Sequence, residues 1–397
     1  MKRIHIGARP DWQEKAEAAG FKFHTMYGEP YWDEDTVYEF TLDQVENDIE
    51  DPSTELHGMC REAAARIVDS EELMERLDIP RAHWDLVAES WKTGQPELYG
   101  RFDLVYDGHG PAKMLEYNAD TPTSLFEGAS FQWSWLEDMI AAGRLDAETD
   151  QFNGTFEALV ERFGQILAPG TDVHFAAFEN LLEDYSTTEM LAYAARAAGL
   201  GAHFVDVFKI GLTDQGQFAD ADQRVIGTLF KLYPWEDMLR DDFAQHLKGA
   251  NCQFLEPAWK AIVSNKGLLP VLWEMFEGHP NLLPSFFADE LKRGSDRVSR
   301  AAEALGRGVV TKPVFSREGA SITIEKDGEV LEAAEERTYD DHPMIAQAYA
   351  EMPVFDGFRP IIGAWIVGET CVGMGLREDR SRITQDLSRF KPHYIRA

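Results

Sequence analysis

The sequence predicts an α/β protein of several lobes packed around a shared cleft, and three observations predict it. A strand–helix–strand pattern runs from about residue 172: VHFAAF, then STTEMLAYAARAAG, then AHFVDVF. Two blocks alternate polar and apolar residues around turn signals, one about Asp107-Gly108-His109-Gly110 and one over VVTKPVFSREGASITIEKDGEVLE. At 397 residues, the chain is longer than one hydrophobic core usually serves. Substrates commonly bind in the cleft between such lobes.

Composition narrows the function classes. A hydrophobic share of 44% with 27% charged residues describes a globular chain. The formal charge of −32 repels phosphate backbones, which argues against nucleic acid as a partner. Cationic partners are favoured, although plain solubility explains the acidity as well. Only Cys60, Cys252 and Cys371 occur, which fits a reducing compartment and neither a disulfide scaffold nor a thiolate metal site. MKRIHIGARPDWQ lacks an apolar targeting core, and no stretch has the roughly 20 apolar residues of a membrane helix. A cytoplasmic protein with no membrane partner is expected; the oligomeric state is not legible.

In chain order, residues 10 to 95 read as mainly helical, mixing the aromatic turn MYGEPYWDE with ELHGMCREAAARIV, whose apolar residues recur at helical spacing. YGRFDLVYDGHGPAKMLEYNADTPTS then reads as a β-hairpin. In the 172–206 unit, Ser186 and Glu189 fit a capping box at the helix start. After LFKLYPWEDM and a Trp-rich helical stretch comes an antiparallel sheet with turns at Arg-Glu-Gly and Lys-Asp-Gly. MIAQAYAEM and RPIIGAWIVGETCVGMGLRED add strands, and an Arg-rich loop closes the chain.

The hairpin carries the most informative residues. Side chains two apart on a strand share a face, so Arg101 and Asp103 project together, as do Glu116 and Asn118. A turn centred on Gly108 and His109 sets Arg101 opposite Glu116 and Asp103 opposite Met114, on the face of Asn118. Asp, Glu and Asn oxygens without Cys or His are a hard-cation set, and Mg²⁺ with ATP is the natural occupant. An ordinary charged face is the other reading. The following Ala-Asp-Thr-Pro-Thr-Ser has a composition suited to binding an anion, but Asp120, Thr121 and Ser124 are ordinary turn and N-cap residues, which favours a capped turn.

Lys312 lies in the apolar segment VVTKPVF, where a buried ammonium needs an anionic partner such as phosphate. Pro313 makes an edge strand with an exposed lysine equally credible. Ser316 to Ser321 has the small residues and single arginine of a loop closing over phosphates, or of a plain turn. No GxxxxGK[ST] sequence occurs, so a Walker-type site is excluded.

Taken together, RPDWQEKAEAAGFKFHTMYGEPYW, LEYNADTPTSLFE, LFKLYPWE, EPAWKAIVSNKGLLPVLWEMF, TKPVFSREGA and REDRSRITQDLSRF resemble the glutathionylspermidine synthase family across nearly the whole chain. The resemblance implies an ATP-grasp fold with a Rossmann-like βαβ lobe. Its approximate parts would be a helical segment plus the metal-binding hairpin over 1–165, a βαβ substrate lobe over 166–215, and nucleotide-binding lobes with a lid over 216–397. It further implies an ATP- and Mg²⁺-dependent ligase that activates a glutathione-like carboxylate as an acyl-phosphate and joins it to a polyamine-like amine. Asp103, Glu116 and Asn118 then match the Mg²⁺ ligands, Lys266 and Lys312 the lysines on ATP phosphates, and Gln347 of MIAQAY the adenine side. Arg101, Arg317 and Arg377 match the arginines at the transferred phosphoryl and acyl centre, and Thr121 and Thr123 the substrate hydroxyls. Glu183 and Asp184, expected in a loop after VHFAAFENLL, match the substrate-engaging carboxylates.

Two departures stand out. No cysteine amidase segment precedes the synthetase motifs, so hydrolase activity is not expected. Leu232 stands where the family has a hydroxyl residue and Asp184 shortens a carboxylate, which points to a different substrate pair. Two other classes compete with this reading. A glycosidase would use Asp103 and Glu116 as its carboxylates and the 10 Trp as sugar platforms, but leaves Lys312 and Arg317 without a role. A nucleotide-binding pseudo-enzyme or regulator would keep the fold without the chemistry.

Overall fold

The computed structural model describes residues 1–26, 28–384 and 388–397. Tyr27 of the aromatic turn and residues 385–387 of the closing loop lie outside that description. The elements that position the cleft are β1 (Lys2–His5), β2 (Thr36–Phe40), α1 (Asp51–Val68), β3 (Tyr99–Val105) and β4 (Lys113–Asn118). Then follow α2 (Gln132–Ala141), α3 (Thr155–Ile166), β5 (Asp172–Ala177), α4 (Leu182–Ala197), β6 (Gly201–Asp206), β7 (Thr228–Lys231) and β8 (Gln253–Leu255). The remainder comprises α5 (Leu268–Met275), β9 (Ser285–Phe287), β10 (Val309–Pro313), β11 (Thr323–Lys326), β12 (Glu329–Ala333), β13 (Met344–Ala348), β14 (Arg359–Val367), β15 (Thr370–Asp379), β16 (Arg389–Lys391) and β17 (His393–Ile395).

Helix α1 forms because Leu56, Met59, Cys60, Ala63 and Ile67 make one apolar stripe, and all five are buried. Strands β5 to β8 build a parallel sheet in the order β8-β7-β5-β6, with α4 as the β5–β6 crossover. The helix begins at Leu182, without a side-chain cap, four residues before the expected capping box. Ser186 is therefore inside the helix, and Glu183 and Asp184 occupy its first turn rather than a loop. Carboxylates are favoured there by the helix dipole.

The hairpin β3–β4 joins the C-terminal strands in a five-stranded sheet, β16-β15-β14-β3-β4. Its register differs from a two-residue turn: Arg101 pairs with Asn118 and Asp103 with Glu116. The connection is longer, from Tyr106 to Ala112, and a shift of two residues leaves Arg101, Asp103, Glu116 and Asn118 on one face. A bulge beyond Asp103 makes Leu115 the extra residue and pairs Leu104 with Met114, so Met114 turns into the core instead of facing Asp103.

The second five-stranded sheet runs β9-β13-β10-β11-β12. Strand β10 has neighbours on both sides, which removes the edge-strand reading of Lys312. The largest fully buried side chains include Trp32, Trp135, Trp235 and Trp365, so these tryptophans are core and not sugar platforms. Leu232 is likewise core, packed with Phe230 and Leu255. Among the described residues, no helix is long and apolar enough to cross a membrane.

Candidate functional site

A cavity of about 250 Å³ opens where the hairpin sheet faces the sheet containing β10 and β13, and all thirteen candidate residues line it. Its floor is the polar face of the hairpin. Arg101 donates from Nε to Asp103 Oδ1 at 2.8 Å and from NH1 to the Thr123 carbonyl at 2.8 Å. Arg377, two strands away on β15, reaches the other Asp103 oxygen at 2.7 Å. Glu116 pairs with Lys266 at 3.2 Å and accepts from Asn118 Nδ2 at 3.3 Å. Burial pushes the Glu116 carboxyl up, but Lys266 and Lys312 outweigh it and hold the group at about 2.

Lys312 is 4% exposed and donates to the Leu115 carbonyl at 3.1 Å and to Gln347 Oε1 at 2.9 Å. The carbonyl is that of the bulge residue, so the bulge supplies the lysine's backbone partner. Burial pulls the ammonium down to about 8, with Glu116 opposing. Lys266 also binds the Ser316 carbonyl at 3.0 Å, tying the floor to the loop above it. Arg101, Arg377, Lys266 and Lys312 thus surround two carboxylates, Asp103 and Glu116. The floor carries surplus positive charge in a protein of net charge −32. A low-dielectric cleft of that sign concentrates anions.

The loop from Ser316 to Ser321 lies over this floor with positive φ at Glu318 (51°), Gly319 (74°) and Ser321 (59°). A Cβ on Gly319 would stand 2.5 Å from Ile383 and 2.8 Å from the Thr384 carbonyl, so only glycine lets the two cavity loops touch. Arg317 NH2 reaches Thr121 Oγ1 at 3.3 Å.

The Ala-Asp-Thr-Pro-Thr-Ser segment is no simple capped turn. Asp120 is buried, ion-paired with buried Lys231, and accepts from the Trp235 amide at 2.8 Å, capping a distant short helix. That anchor fixes Thr121 and Thr123 at the wall. Opposite the cationic floor stands an acidic wall of Glu183 and Asp184, where burial and then Glu183 raise the Asp184 carboxyl to about 6. Tyr31 and Arg382 also line the cavity, unforeseen because they come from segments remote in sequence. Lys231 did carry a signal, as the one charge in the apolar strand Thr228–Lys231.

Asp103, Glu116 and Asn118 present oxygen donors on one face with no nitrogen or sulfur ligand, which fits a hard divalent cation. Among the described residues, no group of three or more His, Cys, Asp or Glu is placed to hold a metal. The set fits a Mg²⁺ that takes its remaining ligands from phosphate and water.

Comparison with known proteins fits this arrangement. A "Putative acid--amine ligase" of Haemophilus influenzae is 38% identical, with both chains covered completely. Trypanothione synthetase of Crithidia fasciculata is 28% identical over 83% of this chain and 52% of its own length. The bifunctional glutathionylspermidine synthetase/amidase of Escherichia coli is 24% identical over 90% of this chain and 59% of its own. The chain therefore spans little more than half of those two longer relatives. A glutathione synthetase-like effector from Globodera pallida superposes with a TM-score of 0.57 over 98% of both chains at 12% identity, a likeness of fold alone. The α/β architecture is the ATP-grasp one that the motifs implied. The model of the glutathionylspermidine synthase preATP-grasp family matches residues 3–396, and the chain belongs to that family.

Proposed function

We propose that the protein is an ATP-dependent carbon–nitrogen ligase, working in the cytoplasm on small molecules, that joins a peptide carboxylate to an amine through an acyl-phosphate and releases ADP and phosphate. The observation that carries this reading is the division of one cavity into a cationic floor and an acidic wall. The first suits ATP and a carboxylate and the second a cationic amine. The family and the names of the relatives support a ligase.

In this reading Lys266 and Lys312 hold phosphate oxygens, and Gln347, bonded to Lys312, turns toward the adenine. Asp103, Glu116 and Asn118 would hold Mg²⁺, which when bound neutralises phosphate charge. Arg101 and Arg377, fixed by Asp103, face the acyl centre with preorganised donors. Losing one such donor typically raises a barrier by about 3–4 kcal/mol. Arg317 descends with its loop onto the transferred phosphoryl, Thr121 and Thr123 steady the carboxylate substrate, and Glu183 and Asp184 orient the amine. The approximate lobes 1–165, 166–215 and 216–397 correspond to hairpin floor, amine wall and nucleotide side. Because Leu232 is core, the substrate pair is set by the wall residues, where Asp184 leaves more room than a glutamate.

A screen of glutathione and related peptides against spermidine and other amines, read as ADP release, tests the proposal. ADP release that needs both a carboxylate and an amine is expected. Binding of Mg·ATP without ADP release for any pair would overturn the ligase reading in favour of a nucleotide-binding regulator.

A further inference from the structure

The aromatic turn near the N-terminus delivers Tyr31 to the cavity, and behind it lies a carboxyl group that the ligase reading leaves unused. Glu127 is 1% exposed and sits on a short π-helical turn, Glu127–Phe131. The Tyr31 hydroxyl lies 2.6 Å from Glu127 Oε1 and 3.2 Å from Ser124 Oγ. Its ring is wedged edge-on against Phe21 at 6.3 Å and tilted against Phe23 at 5.6 Å, so the hydroxyl cannot swing away. Ser124 follows Thr123, whose carbonyl holds Arg101 at 2.8 Å. The serine beside the Tyr31 hydroxyl is thus one residue from the carbonyl that holds the arginine at the floor.

Burying a carboxylate is costly unless a cation or a proton compensates it. The charged groups bearing on Glu127 are Glu183, which disfavours its ionisation, and Arg101, which weakly favours it; Tyr31 supplies the hydrogen bond. Burial, then the Glu183 charge, push the carboxyl up to about 8. An amine reaching this wall from neutral water arrives as an ammonium, without a lone pair. It must lose a proton before it can attack.

We propose that Tyr31 and Glu127 form the relay that removes this proton, an inference that rests on the ligase reading above. An N–H bond of the ammonium breaks and its proton goes to the Tyr31 oxygen. The proton already on that oxygen passes to the Glu127 carboxylate, which becomes a carboxylic acid, and the freed lone pair attacks the acyl carbon as phosphate leaves. No oxidant or reductant is involved. Tyr31 touches the amine, and Glu127 is the positioning residue that acts through it. An ordinary carboxylate ionises near ~4 and an alkyl ammonium near ~10.4, a poor match for proton transfer. The raised Glu127 narrows that gap, as an efficient base requires.

The test uses the full-length protein with Mg·ATP, glutathione, and either spermidine, cationic at neutral pH, or hydroxylamine, uncharged there. Glu127→Gln and Tyr31→Phe are each expected to lower the ratio of spermidine-dependent to hydroxylamine-dependent ADP release by about 10²-fold, the usual scale of general-base catalysis. The spermidine rate of the unaltered enzyme should rise with pH through about 8, where Glu127 loses its proton, and this limb should vanish in Glu127→Gln. An equal loss with both nucleophiles, or an unchanged ratio in both variants, would overturn the relay and leave the ligase reading standing. No ADP release from the unaltered protein with either nucleophile would overturn both.

Discussion

Replacing Lys312 by methionine should abolish the response to ATP at a modest cost in stability that grows with pH. The lysine is 4% exposed, and burial lowers its ammonium from 10.5 to about 8. At about 1.4 kcal/mol per tenfold change in proton affinity, that depression is worth about 3 kcal/mol. Between pH 8 and 10.5 the folded chain binds fewer protons than the unfolded one, so stability rises with pH there. The penalty is present in full below about 8 and gone by 10.5. Methionine removes it but leaves Gln347 Oε1 and the Leu115 carbonyl without their donor, and Glu116 with Lys266 as its remaining close cation. Each unsatisfied buried acceptor costs about 1–3 kcal/mol, about 4 kcal/mol for the two, so the expected net change at pH 7 is a loss of about 1 kcal/mol. Urea unfolding of Lys312→Met and the unaltered protein at pH 7 and pH 10 measures this. The loss should grow by about 2 kcal/mol at the higher pH, where most of the lysine penalty of the unaltered protein is gone. Saturating Mg·ATP at about 100 times its Kd should stabilise the unaltered protein by about 2.7 kcal/mol and the variant by far less. A variant whose stability difference does not change with pH and that keeps its ATP response would refute the view of Lys312 as a strained phosphate ligand.

Asp103→Asn should lose Mg·ATP turnover and melt lower, because Arg101 and Arg377 both lean on that carboxylate; thermal melts with an ADP assay check both effects. Arg317→Ala should lower kcat by at least tenfold with little change in ATP affinity, since its guanidinium makes a long 3.3 Å contact to Thr121 and its charge matters most during transfer. Titration of ATP binding beside turnover separates the two, and an equal loss in both would mean that the loop is no lid. Asp120→Ala strands Lys231 in the interior and should cost about 3–5 kcal/mol, seen as a lower urea midpoint. Asp120→Ala together with Lys231→Met should recover much of that loss.

The sequence by itself determined the α/β class, the βαβ unit, the hairpin and the common face of Arg101, Asp103, Glu116 and Asn118. These rest on local periodicity, and a period of two survives even a register error of two residues. Resemblance named the lysines and arginines that the cavity gathers. Local pattern failed where a distant contact decided the outcome. Ser186 and Glu189 read as a cap, yet the helix starts at Leu182 and carries Glu183 and Asp184 into the cavity wall. Asp120 read as a turn residue, yet it meets Lys231, 111 positions away. Spacing leaves Lys312 open between edge and interior, and the pairing of β10 with both β11 and β13 decides it. The Tyr31–Glu127 pair, 96 residues apart, had no signal along the chain at all. Spacing constrains only neighbours on one element, whereas burial, charge compensation and proton affinity depend on which elements pack together, and that is set by the tertiary fold.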